Sequence, residues 1–269
     1  MIGLVVLGAF PGSAAAARLV EPLSVRQSAQ VSGGGTAELN LTCPETAVAL
    51  SGATSVEPGT DSIPSQDPRR WRFRVSSQPG EPARRVRAVL RCVRLTLPSG
   101  IRGVRLIVGT VRRPDVFVVA GATRRVALTC ERGMVPTGWG LERGTAGRSI
   151  AVSAAAPTRR GFVFKLTNTG EVGASATPRI RCLGRTQRAS SGERHSFSTR
   201  LARFRDAGRS ASHTCRDAEY SLATGVSLNT GVLLGSATPT GARGGRWTFS
   251  SGGQAKTSLV CLSRGTSFR

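Results

Sequence analysis

Trp71-Arg-Phe-Arg-Val75 and, beyond a turn-rich stretch, Val86-Arg-Ala-Val-Leu-Arg-Cys92 decide the fold class. In the first run Trp71, Phe73 and Val75 share one face, and Arg72 and Arg74 the other. In the second, Val86, Ala88, Leu90 and Cys92 face one way, and Arg87, Val89 and Arg91 the other. This period of two is that of a half-buried β-strand. Ser76-Ser-Gln-Pro-Gly-Glu-Pro82 between the runs is dense in turn formers, so the two are predicted to pair as an antiparallel hairpin.

The same pattern recurs along the chain. Six cysteines fall in three pairs, Cys43 and Cys92, Cys130 and Cys182, Cys215 and Cys261, with the first members 87 and 85 residues apart. Thr42, Thr129 and Thr214 precede the first cysteine of each pair, Pro64, Pro157 and Pro239 stand near the middle as turn prolines, and Phe162 with Phe164 and Trp247 with Phe249 repeat the aromatic strand. Turns are expected at Asn168-Thr-Gly170 and Ser250-Ser-Gly-Gly253, and glycine turns at Gly52, Gly138 and Gly225. A strand runs into the first cysteine, clearest in Leu39-Asn-Leu-Thr-Cys43 and Val126-Ala-Leu-Thr-Cys130, and an edge strand precedes it at Leu23 to Val31, Val104 to Val119 and Ser196 to Phe204. Helical periodicity is absent. The reading is an all-β chain of three tandem β-sandwich modules, 18–97, 104–186 and 194–269, whose short linkers favour a semi-rigid rod.

Modules this small bury only about 60% of the surface of their unfolded chains, so a cross-link supplements each core. Six cysteines admit 15 pairings. A repeat must satisfy its own geometry wherever it is copied, which selects one disulfide within each module over free thiols. Zinc needs closely spaced ligand pairs that this spacing does not supply, and only two histidines exist, so neither metal nor other cofactor is expected. Disulfides imply an oxidising compartment. Residues 2–10 are apolar and lead through Pro11-Gly-Ser13 into Ala14 to Ala17, which reads as a signal peptide over 1–17. No basic residue precedes the run, which points to a start upstream of Met1, and a buried first strand is the alternative. The run is too short to span a bilayer, and no other stretch is long and apolar enough, so no span is expected in the mature chain.

The formal net charge is +23, from 38 basic and 15 acidic residues. Arginine outnumbers lysine 36 to 2, a ratio that looks like the codon usage of a GC-rich genome. Residues 18–97 hold 11 basic against 7 acidic residues (+4), 104–186 hold 14 against 4 (+10), and 187–269 hold 12 against 4 (+8). Such a field draws polyanions, including wall polymers, lipid head groups and nucleic acid, and weakens with salt. Arg72, Arg74, Arg87 and Arg91 are predicted to form a rack of guanidiniums on the solvent face of the hairpin, with Lys165, Arg179 and Arg181 as its counterpart in the second module. The competing reading is an ordinary solvated sheet face. Trp139, between Gly138 and Gly140, is either an exposed contact aromatic or a core plug at a bulge. His195 and His213 are the only histidines; His213 with Asp206 or Asp217 and a serine would make a hydrolase triad, but no G-x-S-x-G elbow accompanies them. Asn40-Leu-Thr42 fits a glycosylation acceptor by chance, since its Thr is tied to the strand entering Cys43.

The succession Thr-Cys, glycine turn, Pro, Trp or Phe-x-Phe and closing Cys resembles repeat modules of exported proteins of high-GC Gram-positive bacteria. Phe164-Lys-Leu-Thr-Asn-Thr-Gly170 is similar to immunoglobulin-like modules of bacterial cell-surface proteins. Trp71 lies 28 residues after Cys43, where an antibody-type domain has its core Trp about a dozen after the first cysteine. The resemblance implies an extracellular or cell-surface, non-enzymatic spacer or adhesion-type binder, and the basic surface adds an anionic wall polymer or other extracellular polyanion as partner. A secreted nucleic-acid-binding protein is the second reading and an extracellular hydrolase the third.

Overall fold

The computed structural model describes residues 18–19, 23–55, 60–96, 106–144, 148–188, 194–229, 232, 234–263 and 267–268. The expected signal peptide (1–17) and most of both expected linkers lie outside them. The described residues form no α-helix. The first strands are β1 (Arg18–Leu19), β2 (Leu23–Val31), β3 (Thr36–Thr42), β4 (Val48–Thr54), β5 (Thr60–Pro64), β6 (Arg70–Ser76), β7 (Arg84–Val93) and β8 (Leu95–Thr96). Next come β9 (Val108–Arg112), β10 (Val116–Val118), β11 (Thr123–Thr129), β12 (Met134–Arg143), β13 (Ile150–Pro157), β14 (Gly161–Asn168), β15 (Ala174–Gly184) and β16 (Thr186–Arg188). The last are β17 (Arg194–Ser196), β18 (Thr199–Thr214), β19 (Glu219–Leu228), β20 (Leu234–Thr240), β21 (Gly244–Ser263) and β22 (Ser267–Phe268).

Antiparallel pairing sorts most of these into three two-layer units of six, seven and four strands. In the first, β2-β7-β4 face β3-β6-β5. In the second, β15 carries β9, β10 and β12, facing β11-β14-β13. In the third, β18 and β21 run through both layers: Thr199–Gly208 pairs with Gly253–Leu262, and Ser210–Thr214 with Gly244–Thr248, the register shifting between Gly208 and Ser210. β19 flanks the first half and β20 the second. One disulfide clamps the two layers of each unit, Cys43–Cys92, Cys130–Cys182 and Cys215–Cys261, with Cα atoms 5.7, 5.9 and 5.8 Å apart. This is the pairing the spacing predicts.

The expected hairpin is absent. Trp71 to Val75 lies in β6, which pairs with β3 and β5, while Val86 to Cys92 lies in β7, which pairs with β2 and β4. The intervening turn is a corner between layers, fixed by Glu81, whose carboxylate accepts from Ser77 Oγ at 2.6 Å and Gln78 N at 2.9 Å. Alternation cannot tell a corner from a hairpin, because both turn the apolar faces inward. Trp71, Phe73, Ala88, Leu90, Cys43 and Cys92 accordingly meet in one buried cluster. The turn expected at Ser250 to Gly253 is continuous strand within β21.

The rod is also not found, because strands pair across units. Ser62 of β5 pairs with Leu141 of β12, joining units one and two. Ala154 and Ala155 of β13 pair with Ser227 and Val226 of β19, joining two and three. β20 of the third unit packs back against β4 of the first, so the three close into a ring. Each junction covers strand edges that would otherwise present unpaired backbone groups. A shared core follows, with Leu50 and Val93 from the first unit, Leu141 and Ile180 from the second, and Leu222 and Val260 from the third.

Glycine and proline make the close approach. A Cβ at Gly140 would collide with the Ser62 carbonyl oxygen and lie 2.9 Å from Pro64 Cδ; one at Gly225 would collide with Pro157 Cδ. Pro64 and Pro157 are therefore strand-end residues laid against the neighbouring unit rather than simple turn residues. Ten residues after Cys43, where Gly140 and Gly225 stand relative to their own cysteines, the first unit has Ala53, buried in β4. There β20 lies against β4 without paired residues among those described.

Candidate functional site

Seven basic residues were expected to form outward racks. They do not assemble. β6 and β7 lie in opposite layers, so Arg72 and Arg74 face away from Arg87 and Arg91; β14 and β15 likewise separate Lys165 from Arg179 and Arg181. Arg74, Arg87 and Lys165 are exposed on three different strands. Arg72 lies 3.7 Å from Glu142 Oε1 across the junction of units one and two, and Arg179 donates to the other oxygen of the same carboxylate, so one negative charge is shared between both guanidiniums.

Arg91 and Arg181 correct the expectation most sharply, because each is only 1% exposed. Each stands one residue before the second cysteine of its unit and points away from its own core into the neighbouring unit. Arg181 donates to the carbonyls of Asp67 (3.4 Å) and Arg70 (3.2 Å), with its guanidinium 5.7 Å from the centre of the Trp71 ring. Arg91 donates to the carbonyls of Ser221 (2.5 Å) and Gly241. Burial lowers both guanidiniums to about 10, so both remain charged at neutral pH.

Backbone bonds show that one acceptor of each arginine, Asp67 for Arg181 and Gly241 for Arg91, is equivalent. Cys43, Cys130 and Cys215 each take the carbonyl of an arginine in the turn of their own unit, Arg69, Arg160 and Arg243. Asp67 and Gly241 both stand two residues before that arginine, and the corresponding residue of the second unit is Thr158. The residue before the closing cysteine in the third unit is Val260. Two junctions are thus plugged by arginine and the third meets valine.

The third junction holds an open groove of about 620 Å³ whose lining includes Thr158, Arg159, Arg185, Arg200, Arg203 and Val260. Arg159 is in the turn after β13, Arg185 lies between β15 and β16, and Arg200 and Arg203 are on β18. Arg200 is held by Glu219, its Nε and Nη2 donating to the two carboxylate oxygens at 2.9 and 2.5 Å. That pairing draws the Glu219 carboxyl below its usual range and the Arg200 guanidinium above its own. Arg159, Arg185 and Arg203 are exposed and make no ion pair among the described residues. Sequence reading missed this cluster because its members come from separate segments. The signal was the residue before each closing cysteine: Arg, Arg, Val.

Trp139 is half-buried beside the register shift between Pro136 and Gly138. It donates through Nε1 to the Thr224 carbonyl at 2.9 Å and meets Phe164 edge-on at 6.1 Å, so it fills the junction between units two and three. Gly138, expected in a turn, lies within β12, where a Cβ would collide with the Leu50 carbonyl oxygen. Gly52 and Gly225 are likewise inside strands β4 and β19.

His213 and Asp206 do meet, Nε2 to Oδ1 at 2.6 Å, with the imidazole stacked on Phe204 at 3.8 Å. The neighbouring hydroxyl, Thr257 Oγ1, donates at 2.5 Å to Asp206 Oδ2. The order is hydroxyl, carboxylate, imidazole, whereas a hydrolytic triad places the imidazole between the other two. Asp217 is engaged by Arg243, and the side chain of His195 is outside the described residues. Among the described residues the cluster closest to a metal site is Cys215, Glu219 and Cys261, whose sulfurs are bonded to each other. No helix among these residues is long and apolar enough to cross a membrane. The disulfides fit an oxidising, extracellular environment.

No family model and no curated protein matches the chain.

Proposed function

We propose that the protein is exported and acts without catalysis, as a disulfide-stapled binder that presents a basic surface to an anionic polymer at or beyond the cell surface. In this reading its three units are copies of one module. The observation that carries it is the uncompensated charge: 38 basic residues face 15 acidic ones. The acids that pair with arginine within and between units among the described residues, Asp61, Asp67, Glu142, Asp217 and Glu219, pair with none of Arg159, Arg185 and Arg203. The closed ring supports the same reading, because side chains on rigid, cross-linked elements lose less freedom on binding.

Nucleic acid is the weaker reading, since sequence-tolerant binding of single strands uses exposed aromatic platforms. Trp71, Phe73, Phe162, Phe164, Trp247 and Phe249 are all buried, and Phe117, 50% exposed on β10, is outside the lining of the groove that holds Arg159, Arg185 and Arg203. The test is retention of the full chain on a heparin-type resin. Elution that moves strongly with salt between about 0.05 and 0.5 M supports polyanion binding, and passage without retention at the lower salt contradicts it.

A further inference from the structure

We propose that the groove at the junction of units two and three is the polyanion site itself, and that it takes the phosphate groups of a flexible polymer. This rests on the function proposed above and assigns it a place. At two of the three equivalent junctions a buried arginine crosses the interface and is spent on turn carbonyls, Arg91 on Gly241 and Arg181 on Asp67. At the third, Val260 cannot reach, and the junction is instead an open groove with three exposed guanidiniums, Arg159, Arg185 and Arg203, that have no acidic partner among the described residues. Its volume of about 620 Å³ falls in the ordinary range for ligand sites.

Phosphate fits better than carboxylate. Arg200, the fourth guanidinium of the lining, is already satisfied by a carboxylate, its fork donating to both oxygens of Glu219. The other three guanidiniums arrive from a turn, an interstrand link and a strand, so a bound anion must offer oxygens in more than one plane. A tetrahedral phosphate does so and can bridge two forks; a planar carboxylate is satisfied by one. A polymer rather than a base-bearing strand is favoured because the aromatic residue in the lining, Phe197, is only 5% exposed and offers no face for stacking.

The decisive variant is Val260→Arg, which restores the plug found at the other two junctions. It adds a positive charge, so a diffuse electrostatic mechanism predicts tighter binding of long-chain inorganic polyphosphate. A groove mechanism predicts weaker binding, by roughly 10-fold, because the new side chain fills the site. An independent arm compares Arg159→Gln/Arg185→Gln/Arg203→Gln with Arg87→Gln/Arg125→Gln/Lys165→Gln, equal charge changes at groove and non-groove positions, with near-ultraviolet circular dichroism confirming the fold of each. The groove set is expected to lose about 10-fold or more and the control set less than about 3-fold. Equal losses, or tighter binding by Val260→Arg, overturn the site while leaving diffuse polyanion binding intact. No binding by the wild-type chain removes both. Tighter binding of single-stranded DNA than of polyphosphate of equal charge overturns the assigned polymer class.

Discussion

Arg91 of the first unit donates a 2.5 Å hydrogen bond to the carbonyl oxygen of Ser221 in the third, 130 residues away in the chain. This contact closes the ring at the one junction where β20 and β4 lie together without paired residues among those described. The guanidinium pays a desolvation penalty, visible in its lowering to about 10, that the carbonyls of Ser221 and Gly241 offset.

Arg91→Ala is therefore expected to lower stability by about 2 kcal/mol, since the buried carbonyl of Ser221 and the part-buried one of Gly241 lose a charged donor. Arg181→Ala should behave alike, and the exposed Arg87→Ala should stay within about 0.5 kcal/mol of wild type. Denaturant unfolding with a constant slope reads these values; equal effects at positions 87 and 91 would remove Arg91 from the interface.

Gly140→Ala is expected to destabilise by about 1–3 kcal/mol, because its Cβ would run into the Ser62 carbonyl oxygen on a strand held by its own sandwich. Gly252→Ala places its Cβ in open space and should be within about 0.5 kcal/mol of wild type. Thermal unfolding of the two variants side by side checks the contrast.

Much of the fold was legible and the junctions were not, for one physical reason. Alternation states which side chains point into a unit's own core, and Trp71, Phe73, Leu90 and Cys92 all obey it. It says only that Arg91 and Arg181 point the other way; whether that side is water or a second unit depends on contacts between segments over 100 residues apart. The rack failed because two alternating runs joined by a corner look like a hairpin. Gly140 and Pro64 were visible as residues, but their meaning lies in each other's proximity. The groove was readable only by comparing the residue before each closing cysteine, where valine breaks the pattern of arginine.

Glu219 gives a pH signature. Its carboxyl is held below the usual value chiefly by the hydrogen bonds from Arg200, so its contribution is fully present above about pH 4.5 and is lost as pH falls through its lowered value. Glu219→Gln should cost a few tenths to about 1 kcal/mol at pH 7, and the gap from wild type should shrink below pH 4.5. Asp61, raised mainly by burial, acts in the opposite sense just above its ordinary value, because there the folded protein takes up its proton first. The difference between wild type and variant isolates Glu219 from this opposing slope. A gap that stays constant down to pH 2 would contradict the assignment.

Replacing Cys130 and Cys182 together by Ala should cost about 2–4 kcal/mol, the range for opening a closed loop of this size. Because the second unit contributes strands to both neighbours, its loss should broaden the unfolding transition of the whole chain. Calorimetry distinguishes this from the isolated melting of one unit, which would mean the junctions carry little stability.

Small-angle X-ray scattering of the full chain in solution tests the ring most directly. Closed packing of 269 residues predicts a radius of gyration of about 18–20 Å. Three sandwiches strung end to end would give roughly 30 Å, and that value would contradict the closed arrangement and the junction groove with it.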